Sequence, residues 1–250
     1  MNPQPDRWAA LVTGANSGIG EATARALHAR GHYVICAGRR LDRLQRVVDD
    51  LGDGAAAVEL DLNDAASIES LPGRLNTLGY TVDILVNNAG HDRGGRQRFH
   101  DLNVDDLCEV IQTNVLGTIR VTHALIRPMV ARNRGHIITI GSVQGLYAYP
   151  RASVYTATKF ALHGFSECLR LDYVDTDLRI TEIQPGLVRT EFAHNRWDDA
   201  DRVDAFYARF NAWLTPSDVA AAVIFALEQP PHVDVAQVVV QPSGRTQKSS

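Results

Sequence analysis

Tyr155 and Lys159 stand four residues apart in the small-residue run ASVYTATKFA, residues 152–161. On a helix this spacing is just over one turn, so the two side chains share a face about 6 Å apart along the axis. A phenol near its ordinary pKa of about 10 is a poor proton donor or acceptor at neutral pH. An ammonium about 5 Å away, at an effective dielectric near 20, favours the phenolate by roughly 3 kcal/mol, about two pKa units. The pair is therefore a candidate proton-transfer site. An isolated Y-x-x-x-K also occurs on ordinary helix surfaces, so the surrounding sequence must decide.

A second chemical signal is the glycine-rich stretch TGANSGIG, residues 13–20, which follows an apolar run and leads into a helical pattern. Glycines at 14, 18 and 20 let the backbone turn tightly and approach a pyrophosphate, and the free N–H groups of the following helix face its charge. The spacing is G-x-x-x-G-x-G rather than G-x-G-x-x-G. At the end of the next apolar run, ICAGRRLDRL, Gly38 stands where an acid would grip a ribose 2′-hydroxyl, and Arg39 and Arg40 follow. Guanidinium groups grip a 2′-phosphate and an acid repels it. Two cations also oppose the dipole at a helix start, which a bound phosphate would offset. NADP(H) is expected over NAD(H).

These residues need elements to position them. Seven short β-branched or apolar runs recur, at 9–14, 33–38, 55–60, 82–87, 135–142, 179–185 and 236–242. Helical patterns lie between them, including 20–30, 40–51, one long stretch over 104–132, and 217–229. Apolar strands alternating with helices indicate a doubly wound α/β fold of Rossmann type, a seven-stranded parallel sheet with helices on both faces. A single domain over 1–250 is expected, with mobile tails at 1–7 and 243–250 and a substrate-loop or lid segment at 187–215.

Composition narrows the class. A net charge of −4 and a pI of about 6.1 argue against a nucleic-acid binder. Cys36, Cys108 and Cys168 are widely spaced and odd in number, so buried free thiols in a reducing compartment are expected rather than disulfides or a zinc cluster. His28 and His32 form H-x-x-x-H, but Gly31 should end the helix between them, and no metal site is read there. The longest apolar run, VAAAVIFAL, has nine residues, too few for a membrane span. With no signal-like N-terminus, a cytoplasmic protein is expected.

TGANSGIG, NNAG at 87–90, Ser142 at the end of the fifth run and Tyr155-x-x-x-Lys159 stand in one order. Together they resemble the short-chain dehydrogenase/reductase family from about residue 8 to residue 240. The resemblance implies an oxidoreductase with a tetrad of Asn114, Ser142, Tyr155 and Lys159. Asn114 is expected to hold water that relays a proton from Lys159 to solvent. The cofactor would rest on Gly14, Asn16, Ser17, Gly18, Ile19 and Gly20, on Arg39 and Arg40, and on Asn88, Ala89 and Gly90. Asp61 and Leu62 would meet adenine, and Pro185, Gly186, Val188 and Thr190 the nicotinamide side. A homodimer or homotetramer is also implied. Taken singly, Ser142 and Asp61 could be helix caps and Asn114 a structural amide.

Within the family, GHIITIGS, PGLVRTEF, LTPSDVAAAV and PPHV look most like the NADP-dependent 3-hydroxy-acid dehydrogenases, with sulfoacetaldehyde reductases as similar relatives. Gln184 departs from the Glu usual there, SVQG from the common S-T/S-A-G, and PGLVRTEF looks shorter. Arg93, Arg96 and Arg98 after the fourth run, with Arg189 and Arg196 in the loop after Pro185-Gly186 at the end of the sixth run, suggest an anionic small-molecule substrate. Arg196 is the leading clamp candidate, and Ser142, Gln144 and Tyr149 are expected to touch substrate, with Tyr147 and Phe192 as walls. An amphipathic helix over 198–213, with Val203, Phe206, Phe210 and Trp213 on one face, would lie over the pocket as a lid or simply as packing. A β-ketoacyl carrier-protein reductase, a general carbonyl reductase and a non-enzymatic NADP sensor are the alternatives.

Overall fold

The computed structural model describes residues 7–93, 97–193, 197 and 199–244. Seven parallel strands form one sheet in the order β3-β2-β1-β4-β5-β6-β7. They are β1 Ala9–Thr13, β2 Tyr33–Gly38, β3 Ala55–Glu59, β4 Ile84–Asn87, β5 Gly135–Ile140, β6 Leu178–Pro185 and β7 Gln237–Val240. Each is one of the apolar runs, with its ends moved by no more than two residues. Winding reverses between β1 and β4, and this opens a crevice at the carboxyl ends of the strands.

Alternation along the strands builds a core on each side. Val12, Val86 and Ile138 face α1 Gly18–His28, α2 Leu41–Leu51 and a C-terminal helix, Pro216–Leu227. Leu11, Leu85 and Ile137 face the other way, toward α3 Ala65–Glu69, α4 Leu71–Thr77 and a helix at Thr118–Ala131. Gly31, with φ of 83°, closes the turn after α1 and separates His28 from His32.

The expected long helix over 104–132 is interrupted. It comprises α5 Val104–Ile111, a π-helical segment Gln112–Gly117 and α6 Thr118–Ala131. The reason is tertiary: Gly117 packs so closely on Leu62 that a Cβ would lie 2.7 Å from the leucine Cβ. The wider turn also carries Asn114 to the loop after β4. Such bulges concentrate at functional sites.

α7 Ser153–Asp172 crosses behind the carboxyl end of β5 and carries Tyr155 and Lys159. The expected helix over 198–213 is shorter: α8 spans Ala200–Ala208, and α9 is Pro216–Leu227. Beyond α8 the chain turns back so that Leu214 pairs with Val188, and this ends the helix before Phe210 and Trp213. Tyr207, not Phe210, joins Val203 in the buried cluster with Ala193 and Trp197. α9 starts on a reciprocal cap between Thr215 and Asp218, with Pro216 at its first position.

Two further expectations are corrected. Only Cys36 is buried, its thiol pushed up to about 12 by burial, whereas Cys108 and Cys168 are exposed. Arg7, expected in a tail, donates to Gly31 O at 2.9 Å and stacks on Tyr33. Residues 1–6 and 245–250 of the expected tails lie outside the described residues. No helix among the described residues is long and apolar enough to cross a membrane.

Candidate active site

The crevice is a cleft of about 1560 Å³ lined by the ends of β1, β2, β4, β5 and β6 and by the segment around α8. Its floor is the loop after β1. Gly14 and Gly18 adopt φ of 67° and 57°, the left-handed region that favours glycine. Ser17 caps α1 with extended backbone and makes no side-chain bond to the helix, which leaves its first N–H groups to meet a ligand. Asn16, Ser17, Gly18 and Ile19 line the cleft with Gly14, but Gly20 does not. Gly20 instead allows the helix to close on the loop, since a Cβ there would lie 2.3 Å from Gly14 O. Thr13 ties this floor to the next wall, accepting at Oγ1 from the N–H groups of Asn88 and Ala89 at 2.9 and 3.0 Å.

At one end, Arg39 and Arg40 line the cleft after β2. Burial, then neighbouring Arg43 and Arg39, hold the Arg40 guanidinium below its usual range. Crowded cations beside a glycine turn and an uncapped helix end suit a phosphorylated nucleotide. Asp61 and Leu62 line the same end. Asp61 accepts from Asn63 N at 2.9 Å, but the cap of α3 is Asp64, so the capping alternative for Asp61 falls away. The residues present therefore fit a dinucleotide, with Pro185, Gly186, Val188 and Thr190 along the opposite rim.

Ser142, Tyr155 and Lys159 converge where β5 ends. The Lys159 Nζ lies 5.6 Å from the Tyr155 ring centroid and donates to Ile140 O at 2.8 Å. Burial lowers the lysine pKa to about 8, and Glu182 partly opposes that fall. Ser142 Oγ accepts from Gln144 N at 3.1 Å, capping the short turn Val143–Gly145. That bond occupies an acceptor position and leaves the hydroxyl proton available to a substrate oxygen. The cap and the site role thus coexist. Phe192 meets the Tyr155 ring edge-on at 5.7 Å, and Gln144 and Tyr149 line the cleft. Tyr147 is exposed and outside the lining.

The Asn114 side chain is engaged within the protein. It is buried behind the cleft, accepting from His91 N and donating to His91 O, both at 2.9 Å, and donating to Thr158 at 3.3 Å. Its side chain clamps the loop after β4 to α7, so any water relay would have to use its backbone rather than the amide. His91 and Thr113, which the sequence did not single out, also line the cleft, with 3.1 Å between His91 Nε2 and Thr113 Oγ1.

The arginines are redistributed. Arg93 lines the cleft, but Glu109 binds it at 2.6 Å and Asp106 lies 3.7 Å away. Arg189 pairs with Asp204 and stacks on Tyr207 and Trp213, outside the lining. Arg98 is outside the lining too, and Arg96 and Arg196 lie outside the described residues. In their place Arg151, Arg202 and Arg209 line the cleft with no carboxylate ion pair among the described residues. The seven-residue spacing of Arg202 and Arg209, two helical turns, was the available signal. Arg151 holds φ of 58° without being glycine.

The short chain dehydrogenase family profile matches residues 8–201. The chain belongs to the short-chain dehydrogenase family. It is 42% identical over 234 residues to NADP-dependent 3-hydroxy acid dehydrogenase YdfG of Salmonella typhi, covering 93% of this chain and 94% of that one. It is 37% identical over 239 residues to the NADP-dependent 3-hydroxy acid dehydrogenase of Schizosaccharomyces pombe, covering 93% and 92%. A solved structure of serine dehydrogenase, in its closed form with NADP+, superposes with a TM-score of 0.91 at 39% identity, covering 97% of this chain and 98% of that one. The seven-stranded parallel sheet covered by helices is the fold of this family.

Proposed function

We propose that the protein is an NADP(H)-dependent oxidoreductase. It transfers hydride between nicotinamide and a small anionic alcohol or carbonyl compound, a 3-hydroxy acid or hydroxysulfonate, with Tyr155 as general acid and base. The observation that carries this reading is the Lys159 ammonium against the Tyr155 ring at the strand ends, beside a free Ser142 hydroxyl. When bound, the nicotinamide supplies hydride for reduction and accepts it in oxidation. Tyr155 gives its phenolic proton to the carbonyl oxygen in one direction and takes the alcohol proton in the other. Lys159 favours the phenolate by its charge. Ser142 donates to the oxygen on which charge develops. Arg39 and Arg40 favour a 2′-phosphate, in keeping with the NADP-dependent relatives.

The anionic substrate class rests on the relatives' activities and on Arg151, Arg202 and Arg209 around the outer cleft. Exposed apolar side chains on α5 to α7, among them Ile111, Ile119 and Phe160, and Phe225 and Val239 near the β7 edge support a homodimer or homotetramer. The exposed thiols suit a reducing cytoplasm. The test is NADP+ reduction, beside NAD+, with L-serine, 3-hydroxyisobutyrate, isethionate and neutral alcohols of similar size. Turnover of the anionic members with NADP+ is expected. Turnover of neutral alcohols alone leaves a general carbonyl reductase, and reduction of an acetoacetyl thioester in preference to all of them a carrier-protein reductase.

A further inference from the structure

β6 carries a wholly buried carboxylate, Glu182, flanked on its strand by Thr181 and Ile183 and paired with Thr139 of β5 and Gln237 of β7. Its Oε2 lies 2.7 Å from His163 Nδ1 and accepts from Gln184 Nε2 at 2.9 Å. A carboxylate at 184 would repel Glu182, whereas the Gln184 amide supports it. Oε1 is buried with no hydrogen-bond partner among the described residues, and it presses on Gly141, where a Cβ would lie 2.1 Å away. Lys159 donates to Ile140 O, the carbonyl of the same Ile140–Gly141 peptide. The lysine ammonium and the carboxylate are thus gathered at one peptide, behind Ser142.

Tyr155, Lys159 and His163 follow one another at four-residue steps along α7, on one face. The series begins in the cleft and ends at His163, about one-quarter exposed. The charged and titratable groups around it are few. On α7 they are Tyr155, Lys159, His163, Glu167 and Arg170, the last paired with Glu167 at 2.8 Å; on β6 there is Glu182. β7 contributes neutral Gln237, which holds Glu167 at 3.1 Å. The turn Val143–Gly145 offers Gly145, whose hydrogen side faces Lys159 O and His163.

We propose that Glu182, oriented by His163 and Gln184, is the counter-charge that keeps buried Lys159 an ammonium ion, a positioning residue that reaches the chemistry only through that lysine. An isolated buried ammonium sheds its proton, and a nearby carboxylate retains it. Burial raises the carboxyl's own pKa, while the His163 bond, the histidine and lysine charges and the Gln184 bond favour its ionised form. Glu182 and Lys159 therefore each favour the other's ionised form. An acid inside the run RITEIQP was the sequence signal, but nothing in the sequence placed it beside Lys159.

The chain has only two lysines, Lys159 and Lys248. Lysine-selective 13C NMR of the full chain therefore follows Lys159 directly, with Lys248→Arg identifying the other signal. In Glu182→Gln the Lys159 midpoint is expected to fall by about one pH unit or more. Glu182→Asp, which keeps the charge on a shorter stem, should lie between Glu182→Gln and the parent. The alkaline limb of kcat/KM should move with the midpoint. His163→Phe should shift it the same way by less, and this variant decides the matter if Glu182→Gln does not fold. An unmoved midpoint in a folded variant overturns the proposal, even where turnover falls, because that pattern marks a structural role alone. The inference rests on Lys159 acting in the site, but the titration needs neither substrate nor turnover, so its failure is distinct from failure of the oxidoreductase reading.

Discussion

The inner and outer halves of the cleft are built on different principles. The inner half, where β5, β6 and α7 meet, consists of buried groups held by backbone: Lys159 on Ile140 O, Ser142 on Gln144 N, Glu182 against Gly141. The outer half consists of aromatic rings in a small separate cluster, with α8 only nine residues long and exposed arginines around it. A displacement of a few tenths of an ångström in the inner half has nowhere to go in a close-packed core. In the outer half, side chains can rearrange around a substrate. On the function proposed above, the chemistry falls to the rigid half and the choice of substrate to the adaptable one.

The largest effect separating the halves should come from Tyr155→Phe. Loss of the general acid and base is expected to lower kcat by about 10²–10⁴-fold, while NADPH binding, read by fluorescence, stays nearly unchanged. If binding and turnover fell together, the inner half would be a binding wall rather than a proton-transfer site. Gly141→Ala should damage the same half through packing. The new methyl group would meet Glu182 Oε1, and a loss of about 1–3 kcal/mol in denaturant unfolding is expected.

Lys159 adds a pH signature to the inner half. Its folded pKa of about 8 lies below the usual 10.5, so between those values the unfolded chain binds more protons. Stability should therefore rise with pH through that window, by about 3 kcal/mol at most, relative to Lys159→Met. Unfolding curves of the two proteins at pH 7.5 and 10 (values of about the window's ends) provide the check. Parallel behaviour would mean that the ammonium is not desolvated as the structure has it.

At the nucleotide end, Arg39→Glu should weaken NADPH roughly 10–100-fold with little change for NADH, the equivalent of one or two charge-assisted hydrogen bonds. Equal losses for both would remove the 2′-phosphate assignment. The smallest of these effects belongs to the outer half. Arg209→Ala should raise KM for an acid substrate by about tenfold, one charged contact, at nearly constant kcat. A fall in kcat instead would show that the outer half also orients the reacting bond.

Much of this architecture is legible in the chain itself, for reasons that are local. Runs such as YVICAG and GHIITI are strands because buried parallel strands are apolar on both faces. TGANSGIG is readable because the left-handed turns at 14 and 18 favour glycine. The break within 104–132 is not legible locally, because the π-helical turn depends on contact between Gly117 and Leu62, which are far apart in the sequence. The helix expected over 198–213 stops short because its end is set by the pairing of Leu214 with Val188.

The same division runs through the site. Sequence alone determined that Tyr155 and Lys159 share a helical face, that glycines floor a phosphate loop and that arginines replace an acid after β2, since each depends on neighbours within a turn or two. Tertiary structure alone decided which arginines pair with carboxylates among the described residues, that the Asn114 amide holds the loop after β4, and that Glu182 lies behind Lys159. Electrostatic partnership depends on distance in space and on burial, and a linear sequence specifies neither until the sheet has brought β5, β6 and α7 together.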